Sequence, residues 1–161
     1  RSEQGHSVSE QPVRVVVDTD ARLPSVSRML QQPGKTVIAC SSVAPDKKLQ
    51  LEQLGAEILE LNSCDDGVDL AELMKALGSM EITSILFEGG STLLGSLFDQ
   101  GLVDKVVAFV APKIVGGKNS LTAVGGTGVN LINEAIDIRV TEMKWLGTDM
   151  VIQGYPGGGR V

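Results

Sequence analysis

The sequence has few aromatic residues, a single histidine and only two cysteines. Aromatic residues make up 3% of its 161 residues, and the formal net charge is −6. Surfaces that bind nucleic acid carry basic stripes and stacking rings, so we expect no nucleic-acid partner. The histidine, His6, lies in a polar stretch, and Cys40 and Cys64 show no CxxC spacing. These features argue against a metal site and a histidine-dependent triad, and we read both cysteines as ordinary thiols.

Long apolar runs are also missing. No segment approaches the roughly 20 apolar residues that a membrane-spanning helix needs, so we expect no membrane association. The start of the sequence, RSEQGHSVSEQP, lacks the apolar core of a secretory signal. We therefore expect a soluble intracellular protein. Because the first residue is Arg1 rather than Met, we also expect the chain to be a piece of a longer protein.

What the sequence does contain is enough apolar material for one core. Hydrophobic residues make up 42% of the chain, and a length of 161 residues is typical of one domain. We predict a flexible leader over residues 1–11, one folded region over residues 12–153 and a flexible tail over residues 154–161.

Strands and helices alternate in the first half of the sequence. Strands are predicted at residues 13–17, 36–40 and 56–61, where β-branched or apolar runs end in turn-forming residues. Helices are predicted at residues 46–54, capped by the aspartate at its start, and at residues 69–78, which begin with an Asp-x-x-Glu capping pattern. This alternation indicates a largely parallel sheet with helices on its faces.

The most specific local pattern is ITSILFEGGSTLLGSLFDQ, at residues 82–100. The apolar run at residues 85–87 predicts a strand that ends at Glu88. Apolar residues then recur at helical spacing after Ser91 or Thr92, either of which can cap the helix. Two glycines lie between strand and helix, so the N–H groups at the helix start are placed to bind a diphosphate. The alternative is a turn without a ligand, because two glycines are weaker evidence than a full GxGxxG.

The last third of the sequence breaks the alternation. Three more strands are predicted, at residues 105–110, 138–145 and 149–153. A Leu-Gly-Thr segment joins the last two, which favours an antiparallel hairpin. The apolar parity of the first hairpin strand changes near Thr141 and Glu142, which predicts a β-bulge. Residues 112–128 form a glycine-rich loop, whose glycines at 116–117 and 125–128 we read as turns rather than ligand contacts.

Several separated segments together resemble one known family. The order VRVVVDTDARLP, TVIA, ILFEGGSTLLGSLF, VDKVVAFVAPKIVGG and LGTDMVI is similar to the reductase domain of the bifunctional riboflavin-biosynthesis deaminase-reductase, a relative of dihydrofolate reductase. The resemblance runs from about Pro12 to Gln153. It implies an α/β, three-layer, dihydrofolate-reductase-like fold: a mainly parallel mixed sheet with helices on both faces and a C-terminal antiparallel hairpin.

The resemblance also implies a reaction and its site. The reaction is the NADPH-dependent reduction of 5-amino-6-(5-phosphoribosylamino)uracil to its ribitylamino product in riboflavin biosynthesis. Glu88 matches the family's substrate-contacting glutamate, and Thr19 matches a hydroxyl that meets the adenosine half of NADP. The family's NADP-binding stretch corresponds to Gly90, Ser91, Thr92, Leu93, Leu94, Gly95 and Ser96. No residue of the chain is matched to a catalytic role.

The resemblance has a gap at its beginning. The family domain starts earlier, with a strand, a helix and loops that supply much of the nicotinamide pocket, so we expect impaired activity in this chain. One alternative is a noncatalytic NADP-binding or scaffold domain, and another is a phosphosugar-binding module. The implied partners are the phosphoribosylaminopyrimidine substrate, a deaminase domain in cis or in trans, and a second copy in a homodimer. The implied compartment is the cytoplasm in a bacterium or the plastid in a plant.

Overall fold

The computed structural model describes residues 11–64, 67–120 and 122–157. The chain groups into two compact units, Arg1–Ser84 and Ile85–Val161, where the sequence predicts one folded region. The predicted leader lies outside the described residues except for Gln11, and so do residues 158–161 of the predicted tail. Each unit is described by itself below.

The first unit has the predicted alternation of strands and helices. Its strands are β1 (Arg14–Val17), β2 (Thr36–Cys40), β3 (Ala56–Glu60), β4 (Ser63–Cys64) and β5 (Gly67–Val68). Its helices are α1 (Pro45–Gln53) and α2 (Leu70–Ser79), and a short 3-10 helix spans Arg28–Gln31. The strands β1, β2 and β3 pair in parallel in that order, which confirms the predicted parallel arrangement. The small antiparallel pair of β4 and β5 is not predicted by the sequence.

The core of the first unit is built around β2. Every residue of β2 is buried, because the strand lies between two neighbours and its side chains are covered on both faces. On one face, Ile38 and Cys40 pack with Ala21, Leu51 of α1 and Ala56. Burying an aliphatic side chain of this size contributes about 1.5–3 kcal/mol. The β-branched and apolar run of β2 therefore explains both the strand and its central position.

The two helices of the first unit begin differently. Asp69 caps α2 as predicted, since its carboxylate accepts a hydrogen bond from the Glu72 N–H at 2.9 Å. The predicted cap of α1 at Asp46 is wrong. That helix begins one residue earlier, at Pro45, and Ala44 at its N-cap position makes no side-chain cap. Proline is favoured at the first helical position because its fixed φ suits the helix and it lacks an N–H that needs a partner.

In its described residues, the second unit combines one α-helix with an antiparallel sheet. Its elements are α3 (Ser91–Asp99), β6 (Val106–Val110), a 3-10 helix (Ile132–Glu134), β7 (Ile138–Leu146) and β8 (Asp149–Pro156). The strand order is β6-β8-β7. Leu146 pairs with Asp149 across a two-residue turn, which confirms the hairpin, and Gly147 in that turn has a φ of 63°. The register shifts between Val140 and Glu142, which confirms the predicted bulge.

Two predictions for the second unit are wrong, one about a strand and one about where the last strand ends. Residues 85–87, predicted as a strand, form no ladder with any described residue. An apolar run becomes a strand only when a neighbouring strand takes up its backbone hydrogen bonds, and the local pattern carries no information about that neighbour. Residues 154–156, predicted to lie in the flexible tail, belong to β8, where Gly154 pairs with Val106 and Val140. Among the described residues, β1, β2 and β3 pair within the first unit, and β6, β8 and β7 pair within the second.

Candidate functional site

The start of α3 has no side-chain cap. Gly90 is the N-cap residue, with a φ of 82° and a ψ of 102°, so Ser91 and Thr92, the predicted caps, lie inside the helix. A side-chain cap needs an oxygen on the N-cap residue, and glycine has none. Within the described part of the chain, no side chain accepts a hydrogen bond from the first turn of α3. Its N–H groups are therefore available to an anion.

The predicted NADP-binding stretch covers the cap and the first two turns of this helix. Thr92 is exposed, whereas Ser91, Leu93 and Leu94 are partly buried. Gly95 and Ser96 are buried and are therefore much less accessible to a ligand than Thr92. Any contact of this stretch with a ligand is thus easiest at Gly90 and along the exposed side of the first turn.

Gly95 is packed against a distant loop. A Cβ added at Gly95 would overlap the carbonyl carbon of Gly125 and the nitrogen of Gly126. No side chain fits in that space, because carbon atoms in contact normally lie about 3.5–4.0 Å apart. The close approach of two backbones therefore accounts for glycine at this position.

The distant loop, residues 125–127, is bound to α3 at both of its ends. The Gly125 N–H donates to the Ser91 carbonyl at 2.8 Å, and the Thr127 N–H donates to Oδ2 of Asp99 at 2.8 Å. Sequence reasoning assigned the glycines of this loop to turns and did not single out Asp99. The spacing of Ser91, Gly95 and Asp99, four residues apart, is the signal that places them on one helix face.

Glu88 lies just before this turn and is exposed. A purely structural role for this glutamate would be pairing with a lysine or with a backbone amide. The structure shows no hydrogen bond and no ion pair between Glu88 and any other residue that it describes. Its carboxylate is therefore free to accept hydrogen bonds from a ligand.

Thr19 belongs to the first unit, at the carboxyl end of β1. Its carbonyl accepts hydrogen bonds from the N–H groups of Ser41 and Ser42, both at 3.0 Å, and from the Ser41 hydroxyl at 3.2 Å. The ends of two adjacent parallel strands thus bring hydroxyl groups together, on the edge where open α/β sheets bind ligands. The Thr19 hydroxyl also lies against Gly67, where an added Cβ would be 2.7 Å from it. Ser41 is a candidate that the sequence reasoning did not assign.

The segment after Thr19 is fixed by Asp18. Its Oδ2 accepts a hydrogen bond from the Leu23 N–H at 2.7 Å, and its Oδ1 lies 3.6 Å from the Arg22 guanidinium. Ala21, which lies between Asp18 and Arg22 in the sequence, is buried and has a φ of 49°, a conformation that a non-glycine residue rarely adopts. This strained turn holds the chain beyond β1 in one shape, which positions Thr19 at the sheet edge.

The free cysteine Cys40 does not have the properties of a nucleophile. Burial, together with the nearby carboxylates of Glu60 and Asp18, raises the pKa of the Cys40 thiol, and Lys48 lowers it by less. A raised pKa keeps the thiol protonated and unreactive at neutral pH. Among the residues that the structure describes, no group of three histidine, cysteine, aspartate or glutamate side chains is placed to hold a metal ion. No described helix is long and apolar enough to cross a membrane.

Comparisons with known proteins agree on one family. The family described as "RibD C-terminal domain" matches residues 1–152. Riboflavin biosynthesis protein RibD of Actinobacillus pleuropneumoniae is 36% identical over 146 residues, which are 89% of this chain and 39% of that protein. The 2,5-diamino-6-ribosylamino-4(3H)-pyrimidinone 5′-phosphate reductase of Methanothermobacter thermautotrophicus is 38% identical over 144 residues, 89% of this chain and 66% of the relative.

A solved structure shows the same fold. Acinetobacter baumannii RibD, form 2, superposes with a TM-score of 0.80 at 24% sequence identity, over 97% of this chain and 41% of that chain. This likeness confirms the predicted α/β, dihydrofolate-reductase-like fold class. The chain spans only part of each of these relatives.

Proposed function

Since the chain belongs to the RibD C-terminal domain family, we propose that it binds NADPH and serves the reductase step of riboflavin biosynthesis. That step is the reduction of 5-amino-6-(5-phosphoribosylamino)uracil to the ribitylamino product. The observation that carries the proposal is the uncapped start of α3 behind Gly90, next to the exposed Glu88. The Methanothermobacter relative, a pyrimidinone 5′-phosphate reductase at 38% identity, supports the reaction class. The folded reductase region is proposed to extend from residue 12 to the end of β8 at Pro156.

The residues present fit a dinucleotide. The first-turn N–H groups of α3, from Ser91 to Leu93, have no partner among the described residues and suit the diphosphate. Glu88, just before this helix, is proposed to accept a hydrogen bond from a substrate hydroxyl or imino N–H. Separately, in the first unit, the Thr19 hydroxyl is proposed to donate to a phosphate or ribose oxygen. When bound, NADPH supplies the hydride that is transferred to the ring-opened ribose. The protein's part is to hold the two reactants in place.

The proposal is tested first by binding of NADPH and NADH, measured by calorimetry or by the nucleotide's own fluorescence. Gly90→Ala introduces a side chain at a φ of 82° and should weaken NADPH binding on the order of tenfold. Gly101→Ala is the matched control, because Gly101 also has a positive φ, 63°, but lies just after the other end of α3. A folded sample that binds neither nucleotide would contradict the proposal. Consumption of NADPH with substrate then tests turnover.

The alternative function is a noncatalytic NADP-binding or scaffold domain that supports a deaminase partner or a dimer. One observation favours a dimer: one face of the β6-β8-β7 sheet is wholly uncharged and partly open. Cross-strand pairing places eleven residues on this apolar face. They are Val106, Ala108, Val110, Ile138, Val140, Met143, Trp145, Met150, Ile152, Gly154 and Pro156. Trp145, at one corner, is 71% exposed.

A second copy of this chain is the occupant that the apolar face suits. The opposite face carries the charged side chains of Glu142, Lys144 and Asp149, whereas the apolar face carries none. In a twofold dimer the same patch meets itself, so an uncharged patch is complementary to its own copy without any charge pairing. Exposed apolar patches of this kind mark interaction sites. We therefore propose a homodimer through this face.

The dimer is tested by sedimentation or light scattering of two neighbouring variants. Trp145→Glu places a charge on the apolar face and should give a monomer. Leu146→Glu is the control, since Leu146 is 61% exposed but lies on the opposite face, and it should leave the dimer intact. A wild-type chain that is monomeric at all concentrations would overturn the dimer. A dimer that does not bind nucleotide would favour the scaffold alternative.

A deaminase domain remains the proposed second partner, in cis or in trans. The support is that the chain spans 39% of the length of a RibD relative. Co-purification of the chain with a separately expressed deaminase domain tests the arrangement in trans. The proposed compartment is the cytoplasm in a bacterium or the plastid in a plant.

A further inference from the structure

We propose that Asp99 is a positioning residue, which holds the 125–127 loop against α3 and thereby fixes the first turn of that helix. The inference rests on the proposed function, because the first turn is where the diphosphate of the nucleotide is proposed to bind. Asp99 itself is the last residue of α3 and lies two turns away from that end. It therefore acts through the loop.

The loop is held by contacts along a single stripe of the helix. An added Cβ at Gly126 would lie 2.6 Å from Oδ2 of Asp99 and 2.9 Å from the Cα of Gly95. An added Cβ at Gly125 would lie 3.1 Å from the Ser91 carbonyl oxygen. The backbone of the loop thus touches the helix at its end, its middle and its first residue. Loop and helix stripe thus form one close contact, which is tightest at Gly95.

Two hydrogen bonds fix the ends of this contact. At the C-terminal end of α3, Oδ2 of Asp99 accepts from the Thr127 N–H at 2.8 Å. At the N-terminal end, the Ser91 carbonyl accepts from the Gly125 N–H at 2.8 Å. A hydrogen bond to a carboxylate is stronger than one between neutral groups, so the Asp99 end is the stronger anchor. Releasing it frees the loop, and with it the bond to Ser91 at the start of the helix.

The position of Asp99 in α3 is unfavourable for the helix alone. A carboxylate at the last residue of a helix faces the negative end of the helix dipole. In α2, by contrast, the acidic side chains of Asp69 and Glu72 stand at the cap and in the first turn, where the dipole favours them. The contact with the loop accounts for the carboxylate of Asp99, and helix stability does not.

The first test follows hydrogen exchange of two loop amides in the chain without nucleotide. Asp99→Ala removes the acceptor of the Thr127 amide, which should exchange faster. If Asp99 positions the whole loop, the Gly125 amide at the other end should exchange faster as well. Asp99→Asn keeps an acceptor oxygen and should restore most of the protection of both amides. Faster exchange at Thr127 alone would show a merely local contact and would overturn the proposal.

The second test follows nucleotide affinity. Asp99→Ala should weaken the binding of NADPH and of NADH by the same factor, about 3- to 10-fold, because both nucleotides contain the diphosphate. The preference for NADPH over NADH should be unchanged, and Asp99→Asn should bind nearly as the wild type does. Asp104→Ala is the matched control, since Asp104 is an exposed carboxylate of the same unit with no hydrogen bond among the described residues.

The two tests separate the two proposals. If the wild-type chain binds neither nucleotide, the proposed function fails, and the exchange of Gly125 still decides whether Asp99 positions the loop. If the wild type binds NADPH and Asp99→Ala binds it equally well, the positioning proposal is overturned while the proposed function stands. A fall in melting temperature with unchanged affinity has the same meaning, because it reports only a structural role.

Discussion

Two strands, β2 in the first unit and β7 in the second, both contain several large apolar side chains, yet they have opposite surroundings. β2 is buried along its whole length, whereas every residue of β7 after Ile138 is exposed. β2 has a parallel neighbour on each side, and β7 lies at the edge of an antiparallel sheet. Parallel sheets are stable only when both faces are covered, while antiparallel sheets tolerate one open face. β2 is therefore a core strand, whereas β7 leaves large apolar side chains such as Trp145 exposed.

The helices repeat this contrast. In the first unit, α2 is capped by Asp69, and Glu72 in turn accepts a hydrogen bond from the Asn62 N–H at 2.7 Å. In the second unit, α3 begins at Gly90 without a side-chain partner. Satisfied backbone groups stabilise a fold, whereas unsatisfied groups at a helix start attract a ligand. The contrast holds between α2 and α3, because α1 also lacks a side-chain cap but begins with Pro45, which has no N–H to satisfy.

The largest expected effect tests the buried side of this comparison. Leu51→Ala removes a fully buried side chain of α1 from the core around β2 and should lower the free energy of unfolding by about 2–5 kcal/mol. Leu49→Ala makes the same change on the same helix at a side chain that is 56% exposed. It should cost no more than about 0.5 kcal/mol. Urea denaturation measures both, and equal losses would contradict the described core.

The second prediction compares two helical glycines, one in each unit. Gly95→Ala in α3 forces a Cβ into the backbone of the 125–127 loop and should destabilise the chain by about 1–3 kcal/mol. Gly78→Ala in α2 meets no atom within 4 Å and should stabilise the chain by about 0.5–1 kcal/mol, because alanine favours the helix. Thermal or urea denaturation of the two variants gives the sign of each change in stability. A change of the same sign in both variants would rule out the close contact at Gly95.

The third prediction concerns the caps. Asp69→Ala leaves the Glu72 N–H without its acceptor and should lower stability by about 1 kcal/mol. Ser91→Ala is the counterpart in α3, where the side chain makes no cap, and should change stability by less than about 0.5 kcal/mol. Denaturation of both variants in the absence of nucleotide is the measurement. A comparable loss in Ser91→Ala would mean that α3 is capped after all.

The smallest effect is a pH dependence in the first unit. The pKa of the Cys40 thiol is raised in the folded chain by burial and by neighbouring carboxylates. The unfolded thiol loses its proton at the ordinary pKa, about 8.5, while the folded one keeps it. The contribution of this thiol is therefore complete below about pH 8.5 and is lost as the pH rises toward the folded pKa.

The measurement is the melting temperature between neutral and alkaline pH. Wild type and Cys64→Ala, which changes an exposed thiol, should lose stability in parallel. Cys40→Ala should lose less stability over the same pH interval, since it has no buried thiol to ionise. Lys48, whose pKa is raised mainly by its hydrogen bond with Glu60, acts in the same direction but at higher pH. Identical pH profiles for Cys40→Ala and Cys64→Ala would show that Cys40 is not the cause.

The features that could be predicted from the sequence are those with a local cause. The β-branched run of β2 ends in serines, and its predicted bounds agree with the structure. The Asp69 cap and the bulge near Thr141 follow equally from short-range patterns. Features that depend on distant partners were missed. Residues 85–87 have strand composition but no ladder, and the contact of the 125–127 loop with Asp99 joins residues 28 apart in the sequence.

The candidate site divides in the same way. The helix start after the glycines could be predicted, because glycine and helical spacing are visible locally. That Gly90 itself occupies the N-cap position was not predicted, since Ser91 and Thr92 have the side chains that usually cap. The roles of Thr19 and Glu88 came from a family resemblance, and they stay predictions until binding is measured.

The bulge in β7 gives that strand a tolerance for changes in length. Val140 pairs with Gly154 and Glu142 pairs with Gln153, so Thr141 is the one residue between them that has no place in the register. Losing a single residue usually turns every later side chain of a strand to the wrong face. Deleting Thr141 would instead produce a regular ladder in which Met143 and Trp145 keep their present face. An alignment gap at this position is therefore compatible with the same sheet.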